Sequence, residues 1–271
     1  MNIMKILNFW NRLGVNIRRV TLPAHILTLV GIASVFTGAT NWLWLMIIYP
    51  AWFLFGHIGY GIFVHRYFCH RSFETYTWIS RLGAFFGLLS GAGSAMNVKV
   101  IHVGYHHPHS DTELDPHTPT KGLWWSYLLW QNHKIDLAKD KIWVVKDMMK
   151  DPYLKFFHNH NYKIYWGSWL LLALIDWRLA VFIVSAATVL EFHLLSIANT
   201  FGHYKHKWSY QNYQQGRDNS QNITWLNWIT LGHGLHNNHH ADPRNYNHAH
   251  KKGEFDTAKW LIPLIEKRSI K

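Results

Sequence analysis

The sequence predicts an all-α integral membrane protein, with about four transmembrane helices and a helical cap on the cytoplasmic side. Three observations lead there. Residues 20 to 65 run without a single Asp, Glu, Lys or Arg. Aromatic residues make up 16% of the chain, including 16 Trp, while charged residues make up 15%, against roughly 25% in an average soluble domain. Nine of the 21 His fall in groups where apolar stretches end, so the mean hydropathy of −0.11 conceals a segregation of apolar spans from His-rich polar stretches. A disordered chain is excluded by the aromatic content. A disulfide framework or a Cys-based metal site is excluded by a lone Cys69. The formal charge of +12 comes with no nucleic-acid-binding motif.

The elements follow in order along a single domain, 1–271. Ile3, Ile6, Leu7, Trp10, Leu13 and Ile17 recur at helical spacing among Lys5, Arg12, Arg18 and Arg19. Residues 1–19 therefore read as a basic amphipathic surface helix, without the small-residue site of a cleaved signal. The uncharged run 20–65 holds two spans of ~20 residues, placed near 24–39 and 42–64. Gly38-Ala39-Thr40-Asn41 makes the turn, Trp42 and Trp44 suit an interface, and Pro50 kinks the second span. Basic residues without acids before the first span put the N-terminus in the cytoplasm, and the hairpin returns Arg66 to that side. Residues 66–163 are then cytosolic, with 82–95 too short and Gly-rich to span, hence interfacial or re-entrant. A second hairpin is expected over 164–201. Its halves, 164–175 and 179–190, have only 12 uncharged residues each, a length also common in core helices. The two-span reading is preferred because Glu191 and later polar groups can face a protein interior. Residues 202–271 return to the cytosol.

The histidines gather at the cytoplasmic ends of these spans. His65 and His70 close the second span, His102, His106 and His107 follow the Gly-rich stretch, His203 ends the fourth span, and His236, His239 and His240 lie beyond. Neutral imidazole is the commonest metal ligand and suits iron, zinc, copper or nickel. Nine clustered His exceed what one ion coordinates, so the cap is expected to hold a histidine-rich dimetal site. At about 100° per residue, His236, His239 and His240 fall at 0°, about −60° and about +40°, one face of a helix. His65 and His70 lie about 140° apart, off a common face of a regular helix, so they ligate different metals or straddle the helix end. Isolated histidines get blander readings. His25 and His57 are satisfied interior residues, and His193 lies off the ligand face. His109 and His117 are structural or stand behind ligands, and His133, His158, His160, His206, His248 and His250 are surface residues.

These groups resemble the three histidine boxes of membrane fatty acid desaturases. The first is His65-Arg66-Tyr67-Phe68-Cys69-His70-Arg71-Ser72-Phe73. The second continues through Ser110-Asp111 and Asp115-Pro116-His117. The third is Gly232-His233-Gly234-Leu235-His236-Asn237-Asn238-His239-His240. The four-residue gap in the first box resembles the stearoyl-type, acyl-CoA or delta-9 class. Asn199-x-x-x-His203 resembles the element in which His is a ligand and Asn reaches iron through water. Asp218-Asn-Ser220-Gln-Asn222 also matches, and the likeness covers roughly residues 20 to 245. The resemblance implies His65, His70, His102, His106, His107, His203, His236, His239 and His240 as metal ligands, with Asn199 through water. Glu191, His117, His233 and Asp111 are candidates for groups that support the ligands.

Two positions depart from the family pattern. The second box is usually His-x-x-His-His, whereas here His102-x-x-x-His106-His107 leaves Val103 where the first His should stand. One extra residue spreads the three over 0°, about 40° and about 140°. A single-residue π-bulge near Val103–Tyr105 restores a common face, and such bulges are frequent at functional sites. The other reading leaves His102 vacant from the site, with His109 or water in its place. His233 stands where the family commonly has Glu.

Removing hydrogen from an unactivated methylene needs an oxidant made from O₂ at a redox metal, which zinc does not offer. The resemblance implies two iron ions, O₂ as co-substrate, and desaturation of a long-chain acyl group presented as acyl-CoA, acyl-ACP or acyl-lipid, at the ninth carbon. With no fused cytochrome-like segment, electrons are expected from a separate ferredoxin, rubredoxin or b-type cytochrome. The basic tail, including Lys251, Lys252, Lys267 and Arg268, reads as a solvated face near anionic membrane lipids that also helps dock an acidic donor. The host is the inner membrane of a bacterium or the endoplasmic reticulum of a eukaryote. The competing readings are a hydroxylase of the same superfamily and a non-enzymatic His-rich membrane metal carrier.

Overall fold

The computed structural model describes residues 14–132, 139–214 and 216–267. The expected amphipathic helix falls largely on residues 1–13, which with His133 and Arg268 lie outside the described residues. Helix α1 (Ile17–Phe36) and helix α2 (Leu43–Cys69) form the first hairpin. Pro23 follows closely on the π-bonded turn Ile17–Thr21 inside α1, where its missing N–H interrupts the regular ladder. The chain leaves α1 through Gly38 at φ +74°, and the Asn41 side chain accepts the Leu43 N–H at 2.9 Å to start α2. Both helices differ from the expected 24–39 and 42–64: α1 begins earlier and α2 runs on to Cys69. Pro50 leaves the Met46 carbonyl without its usual donor, and the helix is interrupted at Ile47. From Phe53 to Cys69 the bonding is i→i+5, a π-helix of 17 residues, where single π turns are the rule.

Helix α3 (Thr77–Leu89) has 13 residues and is ~20 Å long, too short to span. It packs along α2 backbone to backbone. A Cβ on Gly59 would stand 2.4 Å from the Gly87 nitrogen, and one on Gly87 would stand 2.8 Å from the Gly59 oxygen, so only glycine fits at this crossing. Helix α4 (95–109) starts at the Ser94 cap and is π-bonded over His102–His106. Helix α5 (Pro152–Asn159) is capped by Asp151 and leads into helix α6 (Asn161–Ile175). Asp176 breaks the chain and caps helix α7 (Trp177–Phe201) by accepting the Arg178 N–H at 2.9 Å.

Among the described residues three helices, α1, α2 and α7, are long and apolar enough to cross a membrane. The fourth expected span falls on α6, whose 15 residues are shorter than those three. Outward-facing Leu29 and Phe36 on α1 and Leu171, Leu174 and Ile175 on α6 are exposed, as lipid-facing side chains would be. The two hairpin turns meet at one end of the bundle, where Trp44 stacks on Phe182 at 5.9 Å and the Arg178 guanidinium lies 5.3 Å over Trp44. Beyond α7 the chain departs from an all-α fold. Strand β1 (Ser209–Tyr210) pairs antiparallel with strand β2 (Asn222–Ile223), Ser209 opposite Ile223. Helices α8 (Thr224–Thr230), α9 (His236–Ala241) and α10 (Ala258–Ile265) complete the cap. The ribbon ties the connection to its neighbours, with Gln221 N–H donating to Gly202 O at 2.7 Å and Ile223 N–H to Gly234 O at 2.8 Å. That fixes the segment carrying Asp218 beside α9.

Candidate metal centre

Four segments bring nine imidazoles to one place. In α2 the His70 N–H donates to the His65 carbonyl at 3.2 Å, a five-residue step. The 140° separation of a regular helix therefore does not apply, and the two rings lie 4.9 Å apart in the same group rather than on different sides. In α4 the His107 N–H donates to the His102 carbonyl; this is the π-distortion expected from the shifted second box. It turns His102 inward, with Nε2 2.9 Å from His65 Nε2 and 3.1 Å from His107 Nε2.

The imidazoles divide into two buried groups of four. His65, His70, His102 and His239 form one, and His106, His203, His236 and His240 form the other, each with candidate ligand atoms within 4.8 Å of one another. The single face of α9 is thus shared, His239 going to one group and His236 and His240 to the other. His107 stands between them, its Nε2 3.0 Å from His239 Nε2 and its ring 4.4 Å from that of His240. Asn199 lines the cavity that opens beside His236.

Three carboxylates stand behind the second group. His106 Nδ1 faces Asp115 at 3.0 Å, His240 Nδ1 faces Asp218 at 2.5 Å, and His203 Nδ1 faces Asp111 at 3.2 Å. Burial, with the neighbouring imidazoles, holds His106 and His240 well below the ordinary histidine range, so both rings are neutral. Burial also pulls down His203, but the hydrogen bond and charge of Asp111, with Asp218 and Asp115, outweigh it and leave that ring raised. In a neutral ring that donates through Nδ1, Nε2 is a bare lone pair. His106 Nε2 and His240 Nε2 nevertheless face one another at 3.1 Å, a repulsive contact that a cation between them reverses. Nitrogens bound to one ion at ~2.1 Å stand ~3.0 to ~3.4 Å apart, according to geometry. The Nε2 pairs in direct contact stand from 2.9 Å (His236–His203) to 3.4 Å (His239–His102) apart, and all candidate ligand atoms of each group lie within 4.8 Å. Nδ1 of His65 and of His239 and Nε2 of His70 are buried without a hydrogen-bond partner. The donor set fits metal.

The supporting residues are only partly those expected. Asp111 meets His203. His117 packs its ring 4.2 Å from His106 and shares Asp115 with it. His233 lines the cavity with its ring 5.8 Å from that of His65. Glu191 does not reach an imidazole: it accepts from Trp52 Nε1 at 2.7 Å within the cavity wall. Asp115 and Asp218 were not singled out as supporting groups, although both lie in the motif segments. His248, expected at the surface, is 1% exposed, with its ring 4.7 Å from His239. It is held by Arg66, whose Nη2 lies 3.1 Å from His248 Nδ1 and 3.0 Å from Asp256. His25 and His193 satisfy each other at 3.1 Å, away from the groups.

Helices long and apolar enough to cross a membrane, together with buried imidazole groups able to bind metal, mark the class of membrane proteins that carry histidine-rich metal sites as the one to compare. A family model described as fatty acid desaturase matches residues 42–252, and the chain belongs to that family, an oxidoreductase family of lipid metabolism. It is 31% identical over 212 residues to the sn-1 stearoyl-lipid 9-desaturase of Anabaena variabilis, covering 78% of this chain and 76% of that one. It is 32% identical over 221 residues to the sn-1 stearoyl-lipid 9-desaturase of a Synechocystis strain, covering 80% and 68%. The acyl-CoA C20 Delta5-desaturase of Anemone leveillei is 29% identical over 248 residues, covering 89% and 78%.

Proposed function

We propose that this enzyme is an O₂-dependent diiron desaturase that introduces a cis double bond at the ninth carbon of a long-chain acyl substrate. One observation carries the reading: both four-imidazole groups border a single internal cavity, which His65, His102 and His239 line from one group and His236 from the other. The nine histidines are the proposed ligands, with Asn199 reaching metal through water. When bound, the iron pair supplies the O₂-derived oxidant that takes hydrogen from adjacent methylenes. In balance, the saturated pair, O₂, two electrons and two protons give the alkene and two waters. The protein's part is position. Val98, Ile101, Phe192 and Leu195 offer apolar contact to an acyl chain, and Tyr60, Ser196 and Glu191 stand among them. Asp115, Asp111 and Asp218 fix the Nδ1 protons and so aim each Nε2. The stearoyl-lipid relatives support the ninth carbon and a lipid-borne chain, while the Anemone relative keeps acyl-CoA and another position open to test.

In this reading residues 1–271 form one membrane domain. The helix α6 joins α1, α2 and α7 as a fourth span, and the metal centre faces the cytoplasm. Electrons come from a separate carrier. The test is gas chromatography–mass spectrometry of total fatty acids after expression in a host stripped of its own desaturase, with His236→Ala as control. A new monounsaturated acid that disappears in the control is expected, and its double bond gives the position. A hydroxy acid carrying oxygen from O₂ would replace this reading with the hydroxylase.

A further inference from the structure

We infer that an acidic one-electron carrier protein docks in the basic depression at the first histidine group. The inference rests on the desaturase reading and locates the electron entry that reading requires. The depression is lined by Arg71, Lys99, Lys146, Lys150 and Arg244, against the carboxylate of Asp147 alone. Arg71 and Lys99 both turn toward Asp147, Lys99 Nζ at 3.6 Å, while Lys146, Lys150 and Arg244 are exposed. Its floor contains His70 and His107. His70 belongs to the first group, and His107 bridges toward the second. Trp143, 69% exposed, stands on the wall.

Charge and placement together select the occupant. Interfaces between proteins are enriched in Trp and Arg, both present here as Trp143, Arg71 and Arg244, and a basic concavity steers an acidic partner toward it. The acyl cavity opens on His65, His102, His236 and His239, so the depression reaches the centre from a different side. A carrier seated there delivers electrons through His70 or His107 without displacing the acyl chain. An anionic lipid headgroup would satisfy the charge but has no use for metal-ligating imidazoles in the floor. Among the described residues of the basic tail expected to help docking, Lys251, Lys252 and Lys267 do not line this depression.

The test uses the iron-loaded full chain in neutral phosphatidylcholine nanodiscs and an acidic plant-type [2Fe–2S] ferredoxin as the probe. Binding is titrated at ~20 mM and ~200 mM salt for wild type, Lys146→Glu/Lys150→Glu and Arg244→Glu. The substituted side chains are exposed, and unchanged melting temperatures would verify folding. The expected result is a Kd at low salt raised about tenfold or more in the double variant and also raised in the single one, with the difference collapsing at high salt. The ferredoxin KM should rise in parallel, while turnover driven by a small photoreductant stays at the wild-type level. An unchanged Kd in both variants would overturn the docking surface. So would wild-type binding of a basic cytochrome as tight as that of ferredoxin, or an effect of the substitutions confined to anionic vesicles. No unsaturated product with either electron source would remove the desaturase reading, while the binding titration would still decide the surface.

Discussion

Deletion of Val103 should leave metal binding intact, whereas His102→Ala should not. The π turn over His102–His106 accommodates one residue more than a regular turn. Removing that residue restores His-x-x-His-His, which a regular helix presents at 0°, about −60° and about +40°. The imidazole of the first His should then regain its position near His65 Nε2, now 2.9 Å away. The magnitude for His102→Ala comes from the four-imidazole group to which it belongs. A four-ligand site is worth about 10–16 kcal/mol, so one ligand in four carries roughly 3 kcal/mol, or about 100-fold in affinity. Iron per chain after competition with a graded series of chelators measures it, with circular dichroism as the check on folding. Full iron retention by His102→Ala would refute the placement. Loss of iron by the Val103 deletion, in a folded protein, would refute the π-turn account.

Other perturbations test the surrounding architecture. Arg66→Met removes one partner of an ion pair whose side chains are 1% and 0% exposed, and should cost about 3–5 kcal/mol. The Arg66→Met/Asp256→Asn double variant should be milder, and both read as melting temperatures in detergent. Glu191→Gln keeps an acceptor for Trp52 Nε1, but Glu191→Leu orphans that donor and should cost about 1–3 kcal/mol, seen as a lower melting temperature. Burial, chiefly, pushes His107 down to about 3, so below the ordinary histidine range the unfolded chain binds a proton that the folded chain refuses. The metal-free protein should therefore be fully stable above pH ~6.5 and lose stability as pH falls from there toward ~3. A pH-independent unfolding midpoint across that window would contradict it.

Most of the site was legible because the histidine boxes carry it in local sequence. What local sequence did not reveal was backbone register. His65 and His70 seemed to diverge only because a regular helix was assumed; seventeen residues of i→i+5 bonding align them, and no residue pattern announces such a stretch. Glu191 was misjudged for a simpler reason. Its angle to Asn199 on a helix is about 80°, but eight residues also separate them by ~12 Å along the axis, which leaves it beside Trp52. Asp115 and Asp218 become carboxylate partners through tertiary approach that spacing does not encode. His248 looked superficial within a polar segment; Arg66 and Asp256, almost two hundred positions apart, bury it.

The carboxylates make the two imidazole groups electrically unequal. His106, His203 and His240 each lean on an Asp, whereas the buried Nδ1 atoms of His65 and His239 lean on nothing. Basicity lent through imidazole strengthens its hold on a cation, and three nearby negative charges do so again. An apoprotein titrated with ferrous ion should therefore fill in order, the carboxylate-backed seat first and the neutral one later. A half-loaded species with its vacancy beside His70 would lie on the assembly path. Under iron limitation that species, rather than an evenly depleted mixture, would accumulate.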